Sequence, residues 1–243
     1  MFVKKVDRWY NVYYGSVIYM WIYTFLKYFI IFMIYSFIGW SIEVILTLIE
    51  KKKFVDRGFL IGPYCPIYGY GMLLIIFLLR DYTDNALVLF ILAMVICMIL
   101  EYFTSYFMEV MFNARWWDYS DKKYNINGRI CLEFGFCFGV GGCLIMYVVH
   151  PFIMNFVDGF SNLIIIIVGI TLLVVYLVDT GISLNTIFKI KGIEFKDYVD
   201  NTEEITKVVR EYLMKRSILT KRLVKAYPNI KMKLEKYRRK WDN

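Results

Sequence analysis

Four glutamates and two arginines stand in or beside long apolar runs of this sequence: Glu43, Glu101, Glu109, Glu133, Arg115 and Arg129. A charged side chain at the centre of a bilayer costs about 2.5 kcal/mol or more, so each carboxylate needs a cation or water beside it. Arg115 follows Glu109 closely, and Arg129 stands four residues before Glu133, a spacing that pairs two side chains on one helix turn. The pattern indicates either a site for an ion, a proton or an amphipathic solute, or a lattice of ion pairs that holds helices together.

A second group of candidate residues lies in the polar loop at 113–129. The loop follows an apolar segment in which Glu101, Ser105 and Glu109 recur every four residues and therefore share one face of a helix. The loop contains Arg115-Trp116-Trp117-Asp118, and we interpret its two tryptophans as interfacial anchors in preference to a stacking platform. Together these residues predict a polar cavity that faces the cytoplasm.

A third group is a segment rich in proline and glycine: Arg57, Gly62, Pro63, Tyr64, Cys65, Pro66, Tyr68 and Gly69. Such residues predict a re-entrant or broken start to a membrane span, whose free backbone groups must be buried in protein or line a wet cavity. The alternative is an interfacial turn in which Pro63 and Pro66 start the helix. In the first case the segment forms a flexible backbone wall of the cavity.

The elements that position these residues are membrane-spanning helices. The chain is 59% hydrophobic with a mean hydropathy of +0.52, and its charge is confined to gaps between apolar runs and to one end. This predicts an all-α polytopic transmembrane helix bundle. We expect about five spans, at 24–49, 66–79, 86–112, 130–149 and 163–178, with His150-Pro151 ending the fourth. In the fourth span Gly135, Gly139 and Gly142 share one side, which allows close helix contact.

Three regions follow from this division. Residues 1–23 are aromatic and are predicted to form an interfacial amino-terminal helix, and residues 24–188 form the transmembrane domain. Residues 189–243 contain 16 Lys or Arg against 8 Asp or Glu, and are predicted to be a basic helical tail. The basic loops at 50–58 and 113–129 lie on the same side as this tail, which places all three in the cytoplasm. The tail either lies on anionic lipid, packs on a partner or is solvated.

Several classes of function are excluded or disfavoured by missing motifs. His150 is the single histidine, so an HExxH zinc site is excluded, and neither a GxSxG elbow nor a GxxxxGK[ST] phosphate loop is present. The five cysteines contain no CxxC pair, and we expect neither disulfides nor a thiol metal site. We therefore expect no catalytic residues, no cofactor and no metal. We expect the protein to contact the lipid bilayer and not to bind nucleic acid. Whether it forms a homo-oligomer is left open by the sequence.

The same motifs resemble a known family. They are Gly39-Trp40-Ser41-Ile42-Glu43, Arg57-Gly58-Phe59-Leu60-Ile61-Gly62-Pro63-Tyr64-Cys65-Pro66, Leu100-Glu101-Tyr102, Arg115-Trp116-Trp117-Asp118-Tyr119-Ser120 and Asn127-Gly128-Arg129-Ile130. Over about residues 28–180 the chain is similar to bacterial integral membrane proteins described as ABC-transporter type IV permeases. The resemblance implies a multi-pass permease-like protein of the bacterial cytoplasmic (inner) membrane, and any ATP drive must come from a separate ATPase subunit.

The leading hypothesis is a transporter component whose pathway is lined by the charged residues, Trp116, Trp117 and Asp118. The alternative is a non-transporting scaffold or regulatory subunit that binds a partner through its basic tail. An enzyme acting on lipid headgroups through the carboxylates is a weaker third hypothesis, because histidine, serine and metal motifs are missing.

Overall fold

The computed structural model describes residues 2–112, 114–191, 218–219, 222 and 231–232, with side chains described from residue 16 onward. The helices are α1 (Phe2–Lys51), α2 (Pro66–Leu79), α3 (Ala86–Phe112), α4 (Leu132–Leu144), α5 (His150–Asp158) and α6 (Asn162–Lys191). Four two-residue strands accompany them: β1 (Ala114–Arg115), β2 (Asn125–Ile126), β3 (Ile130–Cys131) and β4 (Lys231–Met232). Strand β1 pairs antiparallel with β4, and β2 pairs antiparallel with β3.

The predicted all-α polytopic fold is confirmed. In the described part of the chain, four helical stretches are long and apolar enough to cross a membrane: Ser16–Lys51, Ala86–Met111, Leu132–Asp158 and Asn162–Thr186. The predicted second span differs from these four, because α2 has only 14 residues. A helix of that length is about 21 Å long, too short for a hydrocarbon layer of about 30 Å.

Irregular chain supplies the missing part of this second passage. Lys52 adopts a positive φ of 51° directly after α1, and residues 52–65 then return along that helix. The Cys65 amide donates to the carbonyl of Ser36 at 2.9 Å. Ser36 lies about 22 Å along the axis from Lys51, since an α-helix rises about 1.5 Å per residue. This geometry favours the broken passage over a turn at the surface, with Pro66 at the start of α2.

The amino-terminal region is not a separate element. Residues 1–23 were predicted to form an interfacial helix of their own, whereas α1 runs without a break from Phe2 to Lys51. The stretch contains no proline, and Gly15 alone does not interrupt the backbone hydrogen bonds. The position of the residues before Ser16 on the membrane surface stays a prediction.

The predicted end of the fourth span at His150-Pro151 is wrong. The helix continues through Pro151 to Asp158, because residues Ile145–Val149 widen into a π-turn. Proline has no amide proton and its ring collides with the carbonyl four residues earlier, so a regular helix breaks or kinks there. A π-turn changes the hydrogen-bond partners locally and lets the helix continue.

Glycines set the distance between α3 and α4, as predicted. Gly135 faces Met98, Gly139 faces Phe90, and Gly142 faces Ala93. A Cβ atom built on Gly142 would lie 2.5 Å from the Cβ of Ala93, so only glycine fits there. The core beside this contact contains the fully buried side chains Ile31, Ile75, Leu89 and Ile165.

Most of the predicted basic tail lies outside the described residues. Helix α6 continues to Lys191, and the remaining described parts are short. One of them is strand β4, and another is Arg222, which donates to the Asp56 carboxylate at 2.5 Å and also to the Leu60 carbonyl. These contacts place parts of the tail against the loops that follow α1 and α3.

The close α3–α4 contact predicts a position-specific effect of alanine in α4. Gly142→Ala should lower the free energy of unfolding by about 1–3 kcal/mol, because the added methyl group overlaps Ala93 and neither backbone can give way. Thermal unfolding of the purified protein in detergent measures this. Gly141→Ala is the matched control, because nothing lies within 4 Å of its Cβ position. Equal melting temperatures for the two variants would contradict this packing.

Candidate functional site

The charged residues singled out from the sequence form two separate groups in the structure. One group is an ion-pair network of Glu109, Arg115, Asp118 and Arg129. The other lines a cavity between α1, α2 and α3 and contains Glu43, Arg57 and Glu101. Helix α3 contributes to both, because Glu101, Ser105 and Glu109 share a buried face as their spacing predicted. The two groups differ in how completely their charges are paired.

In the ion-pair network each charged group has an opposite charge beside it. Glu109 Oε2 lies 2.7 Å from Arg129 Nη2 and 3.2 Å from Arg115 Nε. Arg115 Nη1 lies 3.6 Å from Asp118 Oδ1, so two arginines face two carboxylates. Arg129 also donates to Ser105 Oγ at 3.3 Å. The network is neutral as a whole, which is what buried charges need in order to remain ionised.

A tight β-hairpin carries Arg129 into this network. Strands β2 and β3 are joined through Asn127 and Gly128, which have positive φ angles of 54° and 65°. A Cβ on Gly128 would lie 2.5 Å from both Asp118 Oδ1 and Ser120 Oγ, so the turn requires glycine. The Arg129 carbonyl accepts from the Trp117 indole at 3.0 Å. Arg129 is therefore fixed before α4 begins and points back towards α3.

This hairpin explains why the predicted Arg129–Glu133 pair is wrong. Arg129 precedes α4 and binds Glu109, whereas Glu133 lies in the first turn of α4 and pairs with Lys122 at 2.9 Å. The Glu133 side chain is 61% exposed. The structure thus leaves Glu133 outside both charged groups.

The cavity has a volume of about 190 Å³ and lies where the broken passage meets α1 and α3. It is lined by carboxylate, guanidinium, thiol and aromatic side chains, among them Glu43, Arg57, Cys65, Tyr68, Glu101 and Tyr119. The polar face predicted for α1 points towards this region, since Ser36 and Thr47 are buried and Glu43 is half-buried. The Trp40 indole, on the same face, donates to Asp56 at 2.9 Å.

Glu43 is held from two sides. The Tyr68 hydroxyl donates to Glu43 Oε1 at 2.6 Å, and Arg57 Nη2 lies 3.5 Å from Glu43 Oε2. Tyr68 reaches Glu43 because Gly39 lets the tyrosine lie directly against α1: a Cβ on Gly39 would be 2.2 Å from the Tyr68 ring. Both oxygens of Glu43 are therefore engaged, one by Arg57 of the broken passage and the other by Tyr68 of α2.

Glu101 is held from one side only. Its Oε1 atom accepts from the Tyr119 hydroxyl at 3.0 Å. Burial, and then the Glu101 carboxylate itself, raise the pKa of Tyr119 above its ordinary value, so this hydroxyl keeps its proton and donates. Glu101 is only 8% exposed, and its Oε2 atom is buried. Even so, no donor of the described residues bonds to this oxygen. A buried carboxylate oxygen without a donor is costly, and it faces a cavity large enough for a bound group.

The two tryptophans of the loop line the cavity. Trp116 is 5% exposed and packs edge-on against Phe59 at a centroid distance of 5.7 Å, which makes the anchor interpretation wrong for this residue. Trp117 is half-buried and is fixed by its hydrogen bond to the Arg129 carbonyl. Trp117 therefore connects Arg129 of the ion-pair network to the cavity.

Sequence reasoning missed Asp179, which holds the proline-glycine segment in place. Its carboxylate accepts from the amides of Ile61 and Gly62 at 2.9 and 2.8 Å, and from the hydroxyls of Tyr64 and Ser183 at 2.5 and 3.0 Å. The available signal was an aspartate in an otherwise apolar helix with a serine four residues later. Asp179 thus satisfies backbone donors that the broken passage leaves free.

The remaining predicted residues of this segment have different positions. Arg57, Cys65 and Tyr68 line the cavity. Gly69 packs on Ser36, with a Cβ position 2.4 Å from the serine hydroxyl, and Pro63 is exposed. Among the residues that the structure describes, no group of three or more His, Cys, Asp or Glu side chains is arranged to hold a metal ion. The chemistry of the cavity is therefore that of one paired and one partly unpaired carboxylate.

The ion-pair network predicts different effects for two glutamates of similar sequence context. Glu109→Gln should lower the free energy of unfolding by about 3–5 kcal/mol, because it leaves Arg115 and Arg129 partly or wholly without their shared counter-charge. Thermal unfolding in one detergent measures the difference. Glu133→Gln is the control and should leave the melting temperature almost unchanged, since solvent screens its pair with Lys122. A similar loss in both variants would show that Glu109 holds no special place.

The contacts of Asp179 predict a local loosening of the broken passage. In Asp179→Asn one acceptor oxygen becomes an amino group, which cannot accept from Gly62 or Tyr64. Hydrogen bonds to charged groups contribute about 1.5–3 kcal/mol, so amides at 58–65 should exchange at least about tenfold faster. Hydrogen–deuterium exchange in nanodiscs measures this, with the exposed Asp81→Asn as control. Unchanged protection in Asp179→Asn would show that the carboxylate does not hold this segment.

Comparison with known proteins places this bundle in a family. The family described as "Putative ABC-transporter type IV" matches residues 30–184, which include both charged groups and Asp179. The chain matches no curated protein and no solved structure. Since the match covers more than half of the sequence, the chain belongs to this family.

Proposed function

We propose that this protein is the membrane component of a transport system and that the cavity between α1, α2 and α3 is the solute-binding part of its pathway. The observation that carries the proposal is the buried Oε2 atom of Glu101, which has no donor and borders the cavity. A carboxylate kept only for packing would have both oxygens paired, as Glu43 shows in the same bundle. A polar group that is unsatisfied in the resting protein supports a role in binding.

The proposal narrows the pathway that the sequence suggested. Glu43, Glu101, Trp116 and Trp117 stay in it, and Arg57 of the proline-glycine segment joins them, because all five line the cavity. The ion-pair network of Glu109, Arg115, Asp118 and Arg129 holds the loop and α3 together, and its charges are already paired. Glu133 is placed outside the pathway. This division assigns stability and binding to different carboxylates of α3.

The broken passage is the part of the wall that can change shape. Residues 53–65 lie outside the helices, and contacts to distant elements hold them, among them those of Asp179, Ser36 and Arg222. Movement of this segment would shift Arg57 and Cys65, which line the cavity. Non-helical backbone inside a membrane protein is found where it is buried in protein or lines such a cavity.

The orientation and the energy source follow from charge and from the family. The basic loops around residues 51–57 and 115–129 surround the cavity end of the bundle, which supports a cavity open to the cytoplasm in the bacterial inner membrane. The sequence contains no phosphate-binding loop, so ATP hydrolysis belongs to a separate ATPase subunit that contacts these same loops.

A substrate-independent experiment tests the proposal. Inverted membrane vesicles from the native host are incubated with ATP and a small-molecule extract, and their contents are compared by mass spectrometry. At least one solute should accumulate or be depleted only when the protein is present. Glu101→Gln should reduce that change by about tenfold or more, the effect of losing a charged hydrogen-bond acceptor. Glu50→Gln, an exposed carboxylate at the end of α1, should not.

Two outcomes would overturn the proposal. Identical vesicle contents with and without the protein would reject a role in transport. Full activity of a folded Glu101→Gln variant would show that the cavity is not part of the pathway. If transport is absent while a stoichiometric partner co-purifies and is lost on deletion of residues 190–243, the scaffold hypothesis replaces it.

A further inference from the structure

We propose that the cavity binds a small organic cation that carries a primary ammonium group. This inference deepens the proposed function and rests on the cavity being its binding site. Four features of the cavity lead to it: its net charge, the number of free oxygen atoms, its aromatic lining and its volume.

With Glu43, Glu101 and Arg57 all ionised, the cavity has a net charge of minus one. Glu43 and Glu101 contribute two carboxylates, and Arg57 contributes one guanidinium beside Glu43. The nearest other arginines do not offset Glu101, because Arg115 and Arg129 contact Glu109 and Asp118. Asp56 is likewise engaged, by Trp40 and Arg222. A monovalent cation beside Glu101 would make the site neutral.

The number of free oxygen atoms argues against a bare metal ion. Ca²⁺ binds six to eight oxygen atoms and Mg²⁺ requires a near-octahedral set. Here the two oxygens of Glu43 already accept from Tyr68 and Arg57, and Glu101 Oε1 accepts from Tyr119. Glu101 Oε2 is thus the one carboxylate oxygen of the described cavity that has no donor. A single anionic oxygen is enough for an ammonium group but not for these metals.

An ammonium group can complete its hydrogen bonds with neighbouring phenols. It has three N–H donors, and Glu101 Oε2 accepts one of them. The hydroxyls of Tyr68 and Tyr119 have already donated their protons to glutamates, so their oxygens can act only as acceptors for another donor. The site therefore offers acceptors, which favours a cation with several N–H donors and disfavours an anion.

The rest of the lining fits the carbon part of such a ligand. Trp116 and Trp117 provide aromatic faces, which attract a cation by about 0.5–2 kcal/mol. Met72, Leu100 and Phe138 provide apolar surface. The 190 Å³ volume corresponds to about six water molecules at about 30 Å³ each, which leaves room for a short alkyl chain beside the ammonium group.

Isothermal titration calorimetry of the full chain in nanodiscs tests the inference, with n-butylammonium as the probe. Binding should be saturable and should weaken by about tenfold or more in Glu101→Gln, since a charged hydrogen bond contributes about 1.5–3 kcal/mol. Glu50→Gln should bind as the wild type does, because this carboxylate is exposed outside the cavity. n-Butanol and n-butyrate, which have the same chain length, should not bind measurably.

A second variant keeps the test decisive if Glu101→Gln fails to fold. Gly71 lines the cavity, and a Cβ atom there meets Leu100 at an ordinary 3.4 Å, so small side chains are tolerated. Gly71→Val should fill part of the space and lower the affinity for n-butylammonium more than that for methylammonium. A general loss of structure would not produce this dependence on chain length.

Three results would overturn the inference: no saturable binding of n-butylammonium by the wild type, equal binding of n-butanol, or undiminished binding by a folded Glu101→Gln variant. Its failure can be separated from failure of the proposed function. If the cavity binds the amine but no solute moves in vesicles, the transport role is rejected and the cation site is kept. If an anionic or neutral solute moves but the amine does not bind, the cation site is rejected and the transport role is kept.

Discussion

A charge inside an apolar bundle has to be neutralised by its immediate neighbours, because neither water nor lipid tails can do it. This constraint decides the arrangement of α3 and the loop after it. Glu109 holds two arginines, and the chain after α3 must turn sharply to bring both of them to one carboxylate. The Asn127-Gly128 turn, the Trp117 indole and Ser105 each serve that geometry. A loop of this length would otherwise have many alternative conformations.

The same constraint applies to backbone groups. The broken passage leaves amide protons without helical partners, and the protein supplies acceptors from distant elements: Asp179 from α6 and the Ser36 carbonyl from α1. Irregular chain at this depth therefore depends on acceptors from distant elements, whereas a helix supplies its own. The cavity lies where this pairing is incomplete, because Glu101 retains one oxygen that no protein donor satisfies.

Local regularities were predictable from the sequence, and long-range pairings were not. The four-residue spacing of Glu101, Ser105 and Glu109 predicted their common buried face, and the glycines of α4 predicted its close contact with α3. Both patterns depend only on helix geometry. The partner of Arg129 depends on a reversal of the chain between α3 and α4, and the partner of Gly62 lies 117 residues away. Spacing carries no information about either, so the pairing with Glu133 was wrong and Asp179 was missed.

The contact between Arg222 and Asp56 has a consequence for biosynthesis. The two residues are 166 positions apart, and at 5–20 residues per second the ribosome adds the arginine about ten to thirty seconds after the aspartate. During that interval Asp56 can accept from the Trp40 indole but not yet from Arg222, and the Leu60 carbonyl lacks the donor that Arg222 later provides. The loop after α1 reaches this set of bonds only after residue 222 has been added. A chain that ends just before residue 222 therefore contains all four described spans but lacks the contacts of Arg222 with this part of the cavity wall.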